Sequence, residues 1–146
     1  LVTQNVDGLH EAGGAAEVLH MHGALDRALC NACRHVWDAP GEMAEGERCP
    51  ACGQPEARPD VVWFGEIPYH MDTIWERLRD ADLFVSIGTS GQVYPAAAFA
   101  QDAGRAGARK LELNLEPSAG SRDFDETRLG PASGIVPEWV DEVLSA

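Results

Sequence analysis

The sequence has little positive charge. Its 11 Lys and Arg residues stand against 24 Asp and Glu residues, which gives a formal net charge of −13, and Lys110 is its only lysine. Because phosphate backbones are held by clustered Lys and Arg, this balance argues against a nucleic-acid partner. A single lysine also leaves almost no candidate for lysine-based covalent catalysis. The acidity favours basic partners, although keeping the protein in solution is the simpler explanation.

Long apolar runs are also missing. The longest, such as Leu83-Phe84-Val85-Ser86-Ile87, have the length of a strand and fall well short of the roughly 20 residues that a membrane span needs. The first residues lack the basic and then apolar segment of a secretory signal. We therefore expect a cytoplasmic protein without membrane contact, in which 146 residues with 45% hydrophobic composition form one globular core.

Apolar periodicity predicts alternating strands and helices. The segment after residue 70 follows the i, i+3, i+4, i+7 spacing of an amphipathic helix. Strands that alternate with helices through short connections predict a parallel sheet covered by helices. The predicted elements are the end of a buried strand at 1–2, a short helix closed by Gly13-Gly14, a strand at 24–29, a helix at 71–79, a buried strand at 82–88, a helix at 95–106, a strand at 110–115, a turn at 129–134 and a helix at 137–144.

The cysteines form two Cys-x-x-Cys pairs. Cys30 and Cys33 are separated by fifteen residues from Cys49 and Cys52, a spacing typical of a four-thiolate zinc ribbon. Each pair suits a tight turn whose thiolates converge on one ion, and four thiolates close a tetrahedral Zn²⁺ site that has no open position. Two disulfides are the alternative, which the absence of a secretory signal disfavours. We predict a structural zinc module inserted at 30–59, where periodicity is lost.

Two polar clusters near the start of the chain follow short apolar runs. Gln4, Asn5 and Asp7 come directly after the first predicted strand, at the edge where α/β sheets present ligand-binding side chains. His20 and His22 occupy alternate positions, so in an extended segment they point to the same side. Each cluster also has a structural interpretation, because Asx-Gly pairs form turns and histidines in apolar runs often hydrogen-bond within a core.

Three further segments are ambiguous by themselves. Gly88-Thr89-Ser90 follows a predicted strand and is either a plain turn or a loop that contacts phosphate or ribose. Asn114-Leu115-Glu116 follows the next strand, where a carboxylate commonly binds the ribose of an adenosine. The apolar run Val61-Val62-Trp63-Phe64-Gly65-Glu66 indicates an internal core strand by default.

The motif Thr3-Gln4-Asn5-Val6-Asp7 followed by His22-Gly23 resembles the catalytic core of the sirtuins, NAD-dependent protein-lysine deacylases, and is closest to their bacterial members. The resemblance implies an α/β fold with a Rossmann-like parallel sheet, helices on both faces and a small inserted zinc-ribbon module. Residues 1–29 and 60–146 would form the NAD-binding catalytic domain. The N-terminal half, with its glycine-rich loop around the NAD diphosphate, would be missing.

The same resemblance implies roles for individual residues. His22 would be the catalytic base, because the family places its base immediately before the glycine, whereas His20 precedes it by two positions. His10, His35 and His70 would have surface or supporting roles. Asp7 would bind the nicotinamide carboxamide, Asn5 would orient the ribose and an ordered water, and Gln4 would hold a ribose hydroxyl. The implied cofactor-binding residues are Gln4, Asn5, Val6, Asp7, Gly88, Thr89, Ser90, Asn114, Leu115, Glu116 and Ala132. The implied substrate-binding residues are Val62, Trp63, Phe64, Gly65 and Glu66.

The expected function is NAD-dependent removal of an acetyl or succinyl group from acyl-lysine peptides, which releases nicotinamide and O-acyl-ADP-ribose. We expect a monomer that uses NAD and Zn²⁺. Its deacylase activity should be impaired in this chain, which lacks the N-terminal half. The acyl preference depends on a Tyr-x-x-Arg pair in the absent half. The alternatives are a protein ADP-ribosyltransferase, which shares the NAD chemistry, and a non-catalytic zinc-ribbon binding module.

Overall fold

The computed structural model describes residues 1–145, which fall into two compact units that divide between Ile74 and Trp75. We refer to the part before this division as unit 1 and to the part after it as unit 2. None of the helices within the described range is long and apolar enough to cross a membrane. Each unit carries a share of the predicted functional residues.

Unit 1 combines a parallel strand pair with a small antiparallel sheet. Its elements are β1 Val2–Thr3, α1 Leu9–Ala12, β2 Leu19–His20, β3 Gly23–Cys30, β4 Val36–Asp38 and β5 Ala57–Val61. β1 pairs with β2 in parallel, and β3 lies between β4 and β5 in the antiparallel sheet. Met21, Ala28, Leu29 and Cys30 are buried almost completely. The core of unit 1 therefore lies along β3, next to the cysteines and directly after the predicted catalytic histidine.

Unit 2 contains a three-stranded parallel sheet. Its elements, together with the helix that spans the division, are α2 Met71–Asp80, β6 Leu83–Ile87, α3 Phe99–Ala106, β7 Arg109–Asn114, β8 Glu126–Leu129 and α4 Ala132–Leu144. The strand order is β6-β7-β8. Leu111, Glu112 and Leu113 on the central strand are all buried. Because successive strand residues face opposite sides, both faces of this sheet are covered, and α3 and α4 each contact β7.

The predicted helices and parallel strands are largely confirmed. The helices predicted at 71–79 and 95–106 are present, the second with a 3₁₀ turn over its first residues. Gly107 ends α3 in the left-handed conformation, with φ of 102°, which glycine adopts without the clash that a Cβ causes. The short helix before Gly13-Gly14 and the strand at 24–29 are also present.

Two strands predicted to be buried are partly exposed. Leu1 and Val2 at β1 are 52% and 40% exposed, and Leu83 and Ile87 at the ends of β6 are 42% and 43% exposed. Both are edge strands with a single partner in the described sheets. Within the described residues, the central strand β7 is the buried one, and these ends of the two edge strands are exposed.

The closing helix begins earlier than predicted, and three strands were not predicted. α4 begins at Ala132 because the backbone N–H groups of Gly134 and Ile135 both donate to the carbonyl of Pro131, so the expected turn is a first helical turn. Pro137 inside the helix forfeits one backbone hydrogen bond without ending it. The sequence analysis missed β4, β5 and β8, which are three to five residues long and lack an apolar alternation.

Candidate active site and cysteine cluster

The imidazole of His22 is oriented by the segment that carries the first polar cluster. Its Nδ1 lies 3.2 Å from the backbone carbonyl oxygen of Gln4. A carbonyl oxygen only accepts, so Nδ1 carries the proton in the neutral imidazole and Nε2 holds the lone pair. The histidine is half-buried. This arrangement presents Nε2 as the basic atom.

His20 is arranged differently. Its Nδ1 lies 3.1 Å from the carbonyl oxygen of Asn5, and its Nε2 lies 2.8 Å from Oε1 of Glu11. Both partners accept hydrogen bonds, so both ring nitrogens donate when the ring is protonated. Burial lowers the pKa of His20, but the hydrogen bonds to Glu11 and Asn5 and the charge of Glu11 outweigh it and raise the pKa above 6.5. Both ring nitrogens of His20 are engaged by these partners, which leaves neither free to act as a base and favours His22 for that role.

Glycine is the only residue type that fits at position 23, directly after His22. Its φ is 79°, and a Cβ at this position would lie 1.9 Å from the backbone oxygen of Asp60 on β5. The close approach of β5 is continued by a hydrogen bond of 2.9 Å from the N–H of Val62 to the carbonyl oxygen of His22. The glycine of the His-Gly motif therefore lets the segment after β5 lie against the histidine.

The segment from Gln4 to Asp7 serves a structural purpose as well as the one predicted for it. Oδ1 of Asp7 accepts a 3.0 Å hydrogen bond from the N–H of Leu9 at the start of α1, as expected of an Asx turn. The N–H of Asn5 donates to Oγ1 of buried Thr3 at 3.1 Å. The N–H of Leu25 donates to the carbonyl oxygen of Val6 at 2.8 Å. These bonds fix the segment next to β3, and its predicted cofactor contacts stay a prediction.

The apolar run at 61–66 is not a core strand, so the default interpretation is wrong. β5 ends at Val61, and the chain then turns with Trp63 58% exposed and Phe64 fully exposed. The turn is closed by the N–H of Glu66, which donates to the carbonyl oxygen of Trp63 at 2.9 Å, and by the N–H of Trp63, which donates to Oε2 of Glu66. Exposed aromatic side chains on a short turn suit the alternative interpretation, a surface that receives a ligand.

In unit 2, three loops follow the carboxyl ends of the parallel strands. The N–H of Gly88 donates to the carbonyl oxygen of Leu113 at 3.0 Å, and the side-chain amide of Asn114 donates to that of Thr89 at 2.8 Å. The N–H of Gly130, next to the start of α4, donates to the carbonyl oxygen of Asn114 at 2.9 Å. The structure thus brings together the loops that contain the predicted residues Gly88 to Ser90 and Asn114 to Glu116, and the loop that leads into α4 at Ala132.

These loops are compatible with an adenosine ligand. Gly88 has φ of 62°, and a Cβ there would meet nothing within 4 Å, so the backbone at this strand end is open. Leu115 and Glu116 are exposed at the end of the neighbouring strand. An open glycine turn beside a carboxylate at the carboxyl end of a parallel sheet is the usual place for a ribose and its phosphates.

Glu112 holds these loops, and the sequence analysis missed it. This carboxylate on β7 is 1% exposed. It accepts hydrogen bonds from the N–H of Ser118 and from the hydroxyls of Ser121 and Thr127. Burial raises the pKa of Glu112, but these hydrogen bonds outweigh it and lower the pKa below 4.5. The N–H of Ala119 donates in turn to the carbonyl oxygen of Ser90 at 3.0 Å, which ties the anchored segment to the glycine loop.

The cavities of unit 2 differ in their relation to the predicted residues. A wide cleft of about 420 Å³ is lined by Lys110, Arg105, Arg122 and their neighbours and includes none of the predicted cofactor residues. A small crevice of about 20 Å³ is lined by Thr89, Gly91 and Ser118 among others. The small crevice is the relevant one, because it lies between the glycine loop and the segment that Glu112 anchors.

The four cysteines form one cluster with the dimensions of a zinc site. Their sulfur atoms all lie within 4.8 Å of one another, and the pairs Cys30–Cys52 and Cys33–Cys49 are separated by 3.7 Å. A disulfide needs about 2.05 Å, whereas the edge of a tetrahedron with Zn–S bonds of about 2.3 Å is about 3.8 Å. The four thiols therefore fit Zn²⁺, and the alternative of two disulfides is wrong.

The two knuckles share one backbone geometry. The N–H of Arg34 donates to the carbonyl oxygen of Cys30, and the N–H of Gly53 donates to that of Cys49, at 2.9 and 2.8 Å. Both donors adopt the left-handed conformation, with φ of 62° and 72°. Burial raises the pKa of Cys49, but the backbone N–H groups of Cys52 and Ala51 that point at its sulfur lower the pKa to about 7. The backbone N–H of Gln54 lowers the pKa of Cys52, but burial and the neighbouring sulfur atoms raise it to about 12, so among these two cysteines only Cys49 has a stabilised thiolate in the absence of an ion.

Comparison with known proteins is consistent with this geometry. The family model described as "Sir2 family" matches residues 1–95. The NAD-dependent protein deacylase of Caulobacter vibrioides is 51% identical over 146 residues, which take in 99% of this chain and 61% of that protein. The crystal structure of a Sir2 homologue–NAD complex is 32% identical, with a TM-score of 0.91 over 99% of this chain and 58% of that one. Sir2Af2 bound to a myristoylated histone peptide is 34% identical, with a TM-score of 0.81 over 97% and 63%.

The match extends over nearly all of this chain but not over all of its relatives. The chain spans about 60% of the length of the curated relatives that it matches. The resemblance of Gln4-Asn5-Val6-Asp7 and His22-Gly23 to one family is confirmed by the family match, and the Rossmann-like α/β fold is confirmed by the structural matches.

Proposed function

Because the chain belongs to the Sir2 family, we propose that it is the larger part of an NAD-dependent protein-lysine deacylase. The observation that carries this proposal is the hydrogen bond from Nδ1 of His22 to the carbonyl oxygen of Gln4, which leaves Nε2 as the basic atom. NAD, when bound, supplies an ADP-ribosyl group that takes up the acyl oxygen as nicotinamide leaves. The substrate is an acyl-lysine peptide, and both acetyl and succinyl groups remain within the proposal.

The residues of this chain have separate tasks in the proposed reaction. His22 accepts a proton at Nε2 from a ribose hydroxyl, a contribution worth about 10²–10⁴-fold for a well-placed general base. Gln4, Asn5, Val6 and Asp7 bind and orient the nicotinamide and its ribose. The loops of unit 2 at Gly88-Thr89-Ser90, Asn114-Leu115-Glu116 and Ala132 bind the adenosine half.

The turn after β5 receives the substrate peptide. Val62 lies against His22 through its backbone hydrogen bond, and Trp63 to Glu66 continue outward from it. An extended peptide that binds along this segment would have its backbone held by hydrogen bonds and its acyl-lysine directed towards His22. The cysteine cluster is closed by four thiolates, so its Zn²⁺ supplies structure rather than chemistry.

The test uses an extended protein, in which this chain is joined to the part of the Caulobacter vibrioides deacylase that it does not cover. We expect His22→Ala to abolish deacylation of an acetyl-lysine peptide while NAD and peptide binding persist, and His20→Ala to have a milder effect. Asp7→Asn and Asn5→Ala should lower nicotinamide exchange, because they act before the base. The readouts are deacylated peptide by mass spectrometry and exchange of labelled nicotinamide. A dead His20→Ala beside a nearly normal His22→Ala would overturn the assignment.

A protein ADP-ribosyltransferase is the second candidate, since it would use the same residues to position NAD. The exposed turn at 63–66 is short, so it suits an extended peptide better than the surface of a folded protein. Transfer of label from NAD to a protein acceptor, without release of deacylated peptide, would favour the second candidate.

A further inference from the structure

Arg58 on β5 carries a buried charge that neither the motifs nor the proposed reaction uses. The residue is 8% exposed. A guanidinium is seldom buried unless its donors are satisfied, because the loss of hydration costs several kcal/mol. The partners of Arg58 belong to two segments far apart in the sequence, one beside the cysteine cluster and the other at the turn after β5.

On one side, Arg58 holds the first cysteine knuckle. Its Nε donates a hydrogen bond of 2.8 Å to Oδ1 of Asn31. Asn31 stands between Cys30 and Cys33, and its own N–H donates to the carbonyl oxygen of Glu56 at 2.9 Å. The backbone of Asn31 is therefore held by Glu56 and its side-chain amide by Arg58, within the knuckle that converges the sulfur atoms.

On the other side, Arg58 holds the turn that follows β5. Its Nη1 donates to the carbonyl oxygen of Val61 at 2.7 Å, and its Nη2 donates to Oε1 of Glu66 at 2.7 Å. Its guanidinium carbon lies 5.2 Å from the centre of the Trp63 ring, within the range of a cation–π contact. One guanidinium thus contacts the backbone of Val61, the ring of Trp63 and the carboxylate of Glu66, which closes the turn.

The turn has few other interactions to order it. Phe64 is fully exposed, Ile67 is 83% exposed and Trp63 is 58% exposed. A segment that buries so little apolar surface opens readily unless specific contacts hold it. Glu66 is the main such contact within the turn. The hydrogen bond from the N–H of Trp63 lowers the pKa of Glu66, and the charge of Arg58 lowers it further. The Glu66 carboxylate is therefore ionised at neutral pH and available to the guanidinium.

We propose that Arg58 is a positioning residue that couples the cysteine knuckle to the peptide-binding turn at 61–67. Metal binding orders the knuckle and Asn31, Asn31 fixes one edge of the guanidinium, and the other edge fixes the turn. A preordered turn loses less entropy when a peptide binds. The identification of the ligand as an acyl-lysine peptide rests on the proposed function, whereas the coupling itself does not.

The second knuckle provides a matched control. Nη1 of Arg48 donates to the carbonyl oxygen of Gly53, directly after Cys52, at 2.7 Å. This arginine also supports a knuckle, and its hydrogen bond lies within the cysteine module. Arg48→Gln therefore removes a similar bond from the same module without touching the proposed connection.

Hydrogen exchange on the 146-residue chain tests the coupling directly. The reporter amides are those of Trp63 and Glu66, which are hydrogen-bonded within the turn. In Asn31→Ala, checked for full zinc content, we expect these amides to exchange about tenfold faster, the factor that corresponds to roughly 1.4 kcal/mol. Arg48→Gln should leave them unchanged. Unchanged turn amides in Asn31→Ala with zinc bound would refute the proposal.

A second comparison asks whether Arg58 carries the effect. Removal of zinc by a chelator should accelerate exchange at the turn in the wild-type chain but should add little in Arg58→Gln, whose turn is already released. Arg58→Lys should behave like Arg58→Gln, because an ammonium cannot bridge three acceptors as the planar guanidinium does. Equal acceleration by the chelator in wild type and Arg58→Gln would overturn the role of Arg58. Should Arg58→Gln fail to fold, the Asn31→Ala result decides.

In the extended protein, Asn31→Ala should raise KM for an acetyl-lysine peptide about tenfold, again roughly 1.4 kcal/mol, with kcat and the KM for NAD nearly unchanged. A purely structural defect would lower kcat and the affinity for NAD as well. If the wild-type extended protein does not bind the peptide at all, the proposed function fails, and the exchange experiment still decides the coupling. Normal peptide KM in Asn31→Ala beside accelerated exchange would show that the coupling does not reach the ligand.

Discussion

The buried carboxylate of Glu112 should be the most sensitive single position in unit 2. It is 1% exposed and accepts hydrogen bonds from one backbone N–H and two hydroxyls. A hydrogen bond to a charged group is worth about 1.5–3 kcal/mol, but the burial of the carboxylate itself costs several kcal/mol. After this offset we expect Glu112→Ala to lower the free energy of unfolding by about 3 kcal/mol, because the N–H of Ser118 also loses its partner.

The isosteric change separates charge from shape. In Glu112→Gln the amide oxygen can still accept from the N–H of Ser118, while its NH₂ group donates to the hydroxyl oxygens of Ser121 and Thr127. We therefore expect a smaller loss in free energy of unfolding, about 1–2 kcal/mol, since only the assistance of the charge disappears. Its matched control is Glu126→Gln on the neighbouring strand, whose carboxylate forms ion pairs with Arg109 and Arg128 near the surface and should matter by about 1 kcal/mol or less.

The assay is urea unfolding of the 146-residue chain followed by circular dichroism at several pH values. Because the pKa of folded Glu112 lies below 4.5, its contribution is complete above the unfolded pKa and is lost as the pH falls through the folded pKa. The difference between wild type and Glu112→Gln should therefore shrink below pH 4.5. Equal stability of wild type and Glu112→Ala at pH 7, or a loss in Glu126→Gln as large as that in Glu112→Gln, would refute the reasoning.

Two further predictions concern unit 1. Elemental analysis should find one Zn²⁺ for each chain. Replacement of any one of the four cysteines, Cys30, Cys33, Cys49 or Cys52, by Ser should accelerate hydrogen exchange across 30–59 far more than in β7. Two disulfides in the purified protein would contradict the zinc site. Because the pKa of His20 is raised on folding, its ion pair with Glu11 stabilises the fold fully below pH 6.5 and weakens as the pH rises through the folded pKa. In thermal unfolding, His20→Gln should therefore be destabilising at pH 6 and progressively less so towards pH 9. A constant difference in stability across this range would contradict the prediction.

The chemistry of the site could be predicted from the sequence where it depends on local spacing. The two Cys-x-x-Cys pairs predicted the cluster because each knuckle is a short backbone unit with its own hydrogen bond. The alternation of His20 and His22 predicted that they share a side, and both rings do contact carbonyls of the same segment at Gln4 and Asn5. The ion pair of His20 could not be predicted, because it depends on Glu11, which reaches His20 from α1.

The strands were predicted less well, because burial depends on neighbours that the chain does not encode locally. β6 has the apolar composition of a central strand but lies at an edge of its described sheet, so its ends are exposed. β8, with the sequence Glu-Thr-Arg-Leu, carries no apolar pattern and forms because β7 offers it a parallel edge. In β8, tertiary pairing overrode the local pattern.

Arg58 and Glu112 were missed for one physical reason. A charged residue normally indicates a solvent-facing position, and the sequence alone cannot distinguish that from a buried charge with several partners. Both residues hold loops that bury little apolar surface, shown by full exposure of Phe64 and 66% exposure of Leu115. In the proposed function both loops receive a ligand, and apolar burial cannot order such a loop because the ligand has to reach the same surface. A buried charge beneath the loop supplies directional bonds from below, and it thereby orders the loop while leaving its outer face free.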